Sequence, residues 1–314
     1  MKFNYILGLL LSLTLFTAQA QQEVQFSDYK LNMSSFNPAF AGFFDGSMLF
    51  IHRSQFVGIK GAPESQNLNV NIPLNMNMGM GFNAISEKLG VTEEVIFTGD
   101  YSYTIFTDDV NMFTFGLKAG VNILNVDYTL LDMENPDDPS FANNIENKVS
   151  PRIGVGFLFN TPQWYVGIST PNFIKENYNP TVRGATATTR PHLYMTTGFQ
   201  TALTDELLFK PSILAKAVEE APIAIDFALN FEFKEQFRFG VSYRWDAAVT
   251  GIVGVNVLKD FQIGYAYDYN TNGLGKYAPS SHQFYLKYVF KHSREMRREC
   301  SSCSFTDSST NIGF

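Results

Sequence analysis

The sequence predicts an all-β fold, a transmembrane antiparallel β-barrel of about 14 strands with an N-terminal periplasmic segment and a short C-terminal tail. Three observations lead to this prediction. Charged residues make up only 17% of the 314 residues, although aromatic residues reach 15%. Apolar and polar residues alternate with period two along much of the chain, which is the strand signal. The connections between the alternating segments are short on one side and often long on the other.

Residues 1–20 are predicted to be a signal peptide. Lys2 supplies the positive charge, residues 6–16 are largely apolar, and Ala18-Gln19-Ala20 offers a cleavage site between small residues. A short anchor helix is the alternative, but the apolar stretch falls short of the ~20 residues that a bilayer span needs. We therefore expect the mature chain to begin at Gln21.

Residues 21–45 are predicted to form an N-terminal segment that lies at the periplasmic rim of the barrel or plugs it. The segment is too long to be a bare terminus and too rich in aromatic residues to be left in water. Its Asn37-Pro38 pair is typical of a turn, and Gly42 allows a reversal of the chain.

Residues 46–291 are predicted to form the outer-membrane barrel. In the clearest stripe, Phe227 and Leu229 alternate with Asp226 and Asn230, so one face would meet lipid and the other the lumen. A second stripe follows after three residues, which predicts a hairpin. The expected strands span 47–54, 66–73, 77–87, 94–106, 111–125, 151–160, 163–169, 191–203, 207–217, 222–233, 236–246, 248–257, 260–269 and 281–290.

Inward-facing charges of both signs predict ion pairs across the lumen rather than a selectivity ring of one sign. These residues are Asp100, Lys118, Arg152, Asp226, Glu232, Arg238 and Arg244.

The connections favour an outer membrane over a soluble sandwich, which also shows period-two alternation. Long connections are expected at 55–65, 127–150, 171–190 and 270–280, and those on the opposite side are tight. Short periplasmic turns with long external loops are typical of outer-membrane barrels. Residues 292–314, with Cys300 and Cys303, are expected to be a flexible periplasmic tail, the two thiols forming a local disulfide or staying free.

The sequence predicts no enzyme, cofactor or metal site. The four histidines never approach the spacing of metal ligands, and no nucleophile is joined by a recognisable pattern of His and acid. The formal net charge of −7 and the absence of a basic block argue against a nucleic-acid partner.

The N-terminal region carries a series of short motifs. A Gln-Phe-Ser-x-Tyr segment begins at residue 25, an Asn-Pro-Ala-Phe-Ala-Gly motif follows, and Arg-x-Gln-Phe and Gly-Ala-Pro close the series. This order of motifs resembles the PorP/SprF family of outer-membrane proteins in type IX secretion and gliding systems. The family often has Tyr at position 40 and Trp at position 56, so both differences keep an aromatic ring. The motif residues, which are candidates for family-specific bracing or partner contact, are Asn37, Pro38, Ala39, Phe40, Ala41, Gly42, Arg53, Gln55, Phe56, Gly61, Ala62 and Pro63.

The resemblance implies a non-enzymatic barrel that helps to secrete a partner adhesin or cargo C-terminal domain, or holds it at the cell surface. Its partners would be the type IX secretion machinery, that secreted protein and membrane lipid. An aromatic barrel with an N-terminal plug would also suit a passive channel or a transporter of hydrophobic solutes, and this alternative stays open.

Overall fold

The computed structural model describes residues 24–43, 45–107, 110–131, 143–177, 188–219, 221–276 and 280–291. The predicted signal peptide, Cys300, Cys303 and the rest of the predicted tail lie outside these residues. Within them, none of the helical turns is long or apolar enough to cross a membrane.

Fourteen antiparallel strands in the described chain form the barrel wall. The strands are β1 (Gly46–Ser54), β2 (Glu64–Pro73), β3 (Met78–Leu89), β4 (Thr92–Phe106), β5 (Met112–Val126), β6 (Ile145–Asn160), β7 (Trp164–Thr170), β8 (His192–Phe199, continued by Thr201–Thr204), β9 (Leu207–Val218), β10 (Ala224–Phe233), β11 (Phe237–Arg244), β12 (Ala248–Leu258), β13 (Phe261–Asn270) and β14 (Ser280–Lys291). A two-residue pair, Glu176–Asn177 with Thr188–Thr189, extends the connection between β7 and β8. Short helical turns lie at Tyr29–Asn32, Met33–Phe36, Pro38–Phe40, Tyr128–Leu130 and Gly273–Lys276.

The ring closes because the last strand pairs with the first. In this pairing Phe50 lies opposite Leu286, and His52 lies opposite Phe284. Every other strand pairs with its neighbour along the chain, and β8 bridges β7 and β9. Closure leaves no sheet edge, and hydrocarbon requires this because unpaired backbone groups cost several kcal/mol each. The predicted all-β barrel is confirmed.

The predicted alternation between the two faces of the wall is also confirmed. Phe227 and Leu229 are 38% and 49% exposed on the outer face, whereas Asp226 and Asn230 point inward and are buried. The outer face is therefore apolar and the inner face is largely polar, the reverse of a water-soluble barrel.

The sixth strand differs from the prediction, because it begins at Ile145 and not at 151. Its first residues pair with β5, Ile145 with Val126 and Lys148 with Leu124, across an irregularity in the register. Asn147 takes a positive φ of 48° at this irregularity. The stretch carries polar residues and stands before Pro151, so it lacks the apolar stripe by which the sequence identifies strands. The loop predicted at 127–150 is correspondingly shorter.

The barrel has two different ends. The long-loop end carries the connections β1–β2, β5–β6, β7–β8 and β13–β14, and the short-turn end carries the tight turns such as Lys234–Gln236.

Candidate functional site in the lumen and at the first long loop

Residues 24–43, here called the plug, lie inside the ring of strands. The side chain of Gln25 donates to Asp226 at 2.6 Å on β10, and the carbonyl of Ala41 accepts from Ser102 at 2.6 Å on β4. These strands are on opposite sides of the barrel. The plug therefore crosses the lumen, running from the long-loop end down to the turn between β2 and β3, before β1 begins.

The second half of the plug, residues 33–43, packs its backbone directly on glycines of the wall. A side-chain carbon at Gly116 would collide with the backbone of Pro38 and Ala39, and one at Gly79 would collide with the carbonyl of Ala41. Glycine in a strand is typical of such close backbone approach. Gly79 and Gly116 are therefore needed to seat the plug.

The Asn-Pro-Ala-Phe motif forms the tightest part of this contact. The Asn37 side chain accepts a hydrogen bond from the Ala39 amide at 3.0 Å and donates to the Phe157 carbonyl of β6 at 3.2 Å. It thereby caps the helical turn that Pro38 opens, a position where proline loses nothing because its missing N–H would be unpaired. Asn37 and Ala39 have no exposed surface.

Aromatic rings fill the space around the motif. Phe40 meets Tyr165 edge to face at 5.7 Å between ring centroids, and Phe36 stacks on Tyr194 at 5.5 Å. Together with Tyr29 and aliphatic residues of the wall, these rings form the apolar core inside the barrel.

An asparagine ladder on β2 holds the middle of the plug. Asn67 accepts from Asn32 at 2.6 Å, and Asn69 donates to the Ser34 hydroxyl at 3.0 Å. Asn71 donates to Asn69 at 2.6 Å and so continues the ladder. All three ladder residues are buried. The asparagines at alternate positions of β2 are visible in the sequence, but apolar–polar alternation alone does not predict that they bind the plug.

Arg53 is the main anchor of the first half of the plug, residues 24–32. Its guanidinium forms an ion pair with Asp268 at 2.7 Å, donates to the Gln25 carbonyl at 2.7 Å and donates to the Ser27 hydroxyl at 3.1 Å. Ser27 in turn donates to Asp268 at 2.8 Å. The Arg of the Arg-x-Gln-Phe motif is therefore buried in the lumen and binds the plug to β13.

Further ion pairs connect the wall strands to one another and to the plug. Arg238 pairs with Asp28 of the plug at 2.5 Å. The wall-to-wall pairs are Lys118–Asp100 at 2.6 Å, Lys210–Glu232 at 2.7 Å and Arg244–Asp226 at 2.8 Å. These contacts match the mixed-sign pairing that the sequence predicts for the lumen.

The remaining motif residues build the first long loop, residues 55–63. The Gln55 amide donates to the Pro63 carbonyl at 2.9 Å, and the Gly90 amide donates to the Gly61 carbonyl at 3.0 Å. Phe56 has a positive φ of 48°, which turns the chain outward at the end of β1. Because the loop is hydrogen-bonded to its own base and to the β3–β4 turn, it is a rigid projection of the barrel.

The structure thus divides the twelve motif residues into two groups. Asn37, Pro38, Ala39, Phe40, Ala41, Gly42 and Arg53 lie in the lumen, and Gln55, Phe56, Gly61, Ala62 and Pro63 lie in the first long loop. The first group is buried except for the half-buried Gly42 at the short-turn end, and the second group lies at the long-loop end.

The base of the next long loop is also preorganised. Asp127 accepts from the Thr129 hydroxyl at 2.6 Å and from the Asn144 side chain at 2.9 Å. The hydrogen bonds from Thr129, followed by that from Asn144, lower the pKa of Asp127 below its ordinary value. The carboxylate therefore stays charged at neutral pH and holds the two sides of this loop together.

Among the described residues, no three metal-ligating side chains come together.

The chain matches the model of the type IX secretion system membrane protein PorP/SprF over residues 18–288. The chain belongs to the PorP/SprF family. This family and the barrel structure place it in the outer membrane. The search of curated proteins gave no match to this family member.

Several solved barrels are similar in overall architecture to this PorP/SprF family member. The Ralstonia pickettii toluene transporter TbuX shares 11% identity at a TM-score of 0.45, covering 83% of this chain and 93% of its own. A Pseudomonas aeruginosa FadL homologue shares 12% identity at a TM-score of 0.46, covering 82% and 94%. The Salmonella typhi OmpF structure with daunomycin shares 8% identity at a TM-score of 0.38, covering 78% and 96%. Similarity at this level says nothing about what the present chain binds.

Proposed function

We propose that this PorP/SprF barrel is a non-enzymatic docking component of type IX secretion that helps secrete or holds a partner adhesin or cargo C-terminal domain at the cell surface. The observation that carries the proposal is the plug. Because residues 24–43 contact strands on every side of the lumen, the barrel offers a large partner its rim and not its interior.

In this proposal the long-loop end faces outward and the short-turn end faces the periplasm. Outer-membrane barrels generally have short periplasmic turns and longer external loops. The short-turn end, where β14 ends, would then be the side that meets the secretion machinery. The partner would dock on the opposite end.

The first long loop is the best candidate for the docking surface. It is held rigidly by the hydrogen bonds of Gln55 and Gly61, yet Val57 and Ile59 at its tip are 49% and 45% exposed. Rigid apolar side chains at the rim are suited to anchor a partner, because little conformational entropy is lost when they bind. Phe173, in the connection after β7, is a further exposed apolar side chain at the same end of the barrel, with 47% of its surface accessible.

The test replaces the loop tip, 57–60, with Ser-Gly-Ser-Gly of equal length. Because the bracing residues of the loop are kept, the barrel should fold normally, as shown by heat-modifiable gel mobility. Surface-retained cargo, measured by labelling intact cells, should fall by about tenfold, since losing two apolar anchors removes an interaction worth roughly 1.4 kcal/mol or more.

The matched control replaces Lys234–Gln236, an exposed turn at the opposite end, with Gly-Ser-Gly. This variant should retain cargo at the surface. Uptake of a small hydrophilic dye is measured in parallel and should be the same for both variants. If dye uptake changes with the loop tip while surface cargo does not, the docking role is refuted and a channel role is favoured.

A second candidate function, transport of hydrophobic solutes, is favoured by one observation. A cavity of about 50 Å³, measured as the space open to the centre of a water molecule, lies between the plug and the wall and is lined largely by apolar side chains. Phe26, Ile96 and Leu214 contribute to its lining. Uptake of a labelled aromatic hydrocarbon into vesicles containing the protein would distinguish this candidate, because a docking barrel should give no uptake above that of empty vesicles.

A further inference from the structure

The lumen is closed on one side of the short-turn end and open on the other. On β5 and β6, against which the second half of the plug packs, inward residues near this end have almost no exposed surface: Thr114 is 2% exposed and Asn160 is 0% exposed. On β10–β14 the inward residues nearest the same end are half-buried. They include Glu232, Arg238, Asn256, Gln262, Gly264 and Lys287. A recess therefore enters the lumen between these strands.

Two ion pairs border the recess. Arg238 on β11 pairs with Asp28 of the plug at 2.5 Å, and Lys210 on β9 pairs with Glu232 on β10 at 2.7 Å. The Glu232 side chain is 27% exposed, whereas that of Asp28 is 2% exposed, so the recess opens toward Glu232 and ends at the plug. Each of these two carboxylates is already matched by a cation.

Two further lysines at the recess lack a carboxylate partner. Lys30 of the plug is buried and donates to the backbone carbonyl of Lys210 at 3.0 Å. Neither Lys30 nor Lys287 on β14 has an ion-pair partner among the described residues. Both lie within electrostatic range of Lys210 and Arg238, and Asp45 in the linker before β1 acts on Lys287 from a distance. Even with Asp45 counted, the recess has four cations and three carboxylates.

Three buried side chains near these charges carry hydrogen-bond donors for which the described part of the chain provides no acceptor. Asn230 and Gln283 have their amide oxygens engaged, by Arg238 at 3.4 Å and by the Ser27 amide at 2.8 Å, so their NH₂ groups are the unmatched ends. The Tyr285 hydroxyl is the third donor. All three residues are at most 2% exposed. Buried donors in native proteins nearly always have a partner, so these donors indicate a bound group that accepts hydrogen bonds.

Positive charge and unmatched donors together specify the chemistry of that group. It must be an anion that accepts hydrogen bonds in several directions and donates none. A phosphate group carries up to two negative charges at neutral pH and offers at least three acceptor oxygens, whereas a carboxylate carries one charge on two oxygens. Lysine ammonium groups are common ligands of phosphate.

We propose that the recess binds a phosphate group, held by the Lys287 ammonium and the Tyr285 hydroxyl, which enters from the short-turn end. The phosphate is either free or part of a larger molecule. Pairing with it removes the cost of keeping lysine charges buried without a counter-ion. This inference goes beyond the proposed docking function and does not depend on it.

The experiment is calorimetric titration of the purified mature chain with sodium phosphate, in chloride buffer of constant ionic strength. Lys287→Gln and Tyr285→Phe should each weaken binding by about tenfold, because each removes a hydrogen bond to a charged group. Lys234→Gln is the matched control, because Lys234 lies at the same end but forms an exposed pair with Glu206 at 3.3 Å. It should bind phosphate as the unmodified chain does.

Urea-induced unfolding in vesicles gives a second measurement. Phosphate should raise the unfolding midpoint of the unmodified chain and of Lys234→Gln, but not that of Lys287→Gln. Without phosphate, Lys287→Gln should be at least as stable as the unmodified chain, because it removes a cation that lacks a partner. Tyr285→Phe keeps the ring that packs on Phe26, Leu49 and Ile51, so it tests the site even if Lys287→Gln does not fold.

Competition distinguishes the two sources of the phosphate. Displacement of orthophosphate by glycerol 3-phosphate would support a phosphate carried by a larger molecule, and binding of orthophosphate alone would support the free ion. The proposal is overturned if the unmodified chain binds neither compound, or if it binds acetate as tightly as phosphate. Equal phosphate affinity in Lys287→Gln, Tyr285→Phe and Lys234→Gln would overturn it as well.

Discussion

Replacing Gly116 with valine tests the seating of the plug. Gly116 lies on the inward face of β5, and a side chain there would occupy the space of the Pro38–Ala39 backbone. Backbone cannot rotate out of the way as a flexible side chain does. The plug must therefore shift away from the wall, and the contacts of Asn37 with Phe157 must stretch or break.

The expected loss of unfolding free energy is about 2–4 kcal/mol. Overpacking a filled core costs roughly 1–3 kcal/mol. A hydrogen bond lost by a buried group, here the amide of Asn37, adds about 1 kcal/mol. Gly251→Val is the matched control, because nothing lies within 4 Å of a side-chain carbon at Gly251 on the outer face of β12. This control should be neutral or slightly stabilising, since valine favours strands.

The assay is urea-induced unfolding in lipid vesicles, followed by tryptophan fluorescence, with limited proteolysis of the plug in the folded state. Gly116→Val should lower the transition midpoint and allow cleavage between residues 24 and 43, and Gly251→Val should do neither. Equal midpoints and equal protection of the plug in the two variants would refute the seating of the plug on wall glycines.

Three further predictions concern the wall. Leu229→Arg should destabilise the barrel by about 2–4 kcal/mol in vesicle unfolding, because Leu229 lies on the lipid-facing side, and equal stability would contradict the register. Arg53→Met should lower the free energy of unfolding by roughly 3–5 kcal/mol, because it leaves Asp268 charged and buried. Lys88→Met breaks an exposed pair and should lower it by at most about 1 kcal/mol. Equal effects of the two substitutions would contradict the burial of the Arg53 pair. A chain ending at residue 291 should keep heat-modifiable gel mobility. A chain ending before Phe284 should lose it, because β1 is left without its pairing partner. Heat-modifiable mobility in the shorter chain would contradict the assignment of β14 as the closing strand.

Most of the wall could be predicted from the sequence because lipid and lumen impose opposite preferences on alternate residues. The stripe containing Phe227 and Leu229 is the clearest example. The period-two alternation is absent at Ile145–Ser150. There β6 extends beyond its apolar stripe, and neither face of the strand needs hydrophobic residues. Backbone pairing with β5 alone makes this stretch a strand, and backbone pairing leaves little trace in composition.

The arrangement of the lumen was harder to predict. The sequence indicates that residues 21–45 avoid water, but it leaves the rim and the interior as alternatives, because aromatic residues suit either place. Arg53 shows the same limit. It belongs to a short motif with Gln55 and Phe56, yet strand alternation sends Arg53 into the lumen toward Asp268, while the other two enter the loop. Asp268, the partner of Arg53, lies more than 200 residues further along the chain. The two side chains meet only because the ring of strands closes, and short motifs do not encode that closure.

The most direct test of the account is isolation of the tagged chain from native outer membranes after mild crosslinking. We predict that it is recovered with type IX secretion components and with a secreted protein, and that replacing the loop tip 57–60 removes the secreted protein but not the secretion components. Recovery of the chain alone, with neither kind of partner, would contradict the docking function.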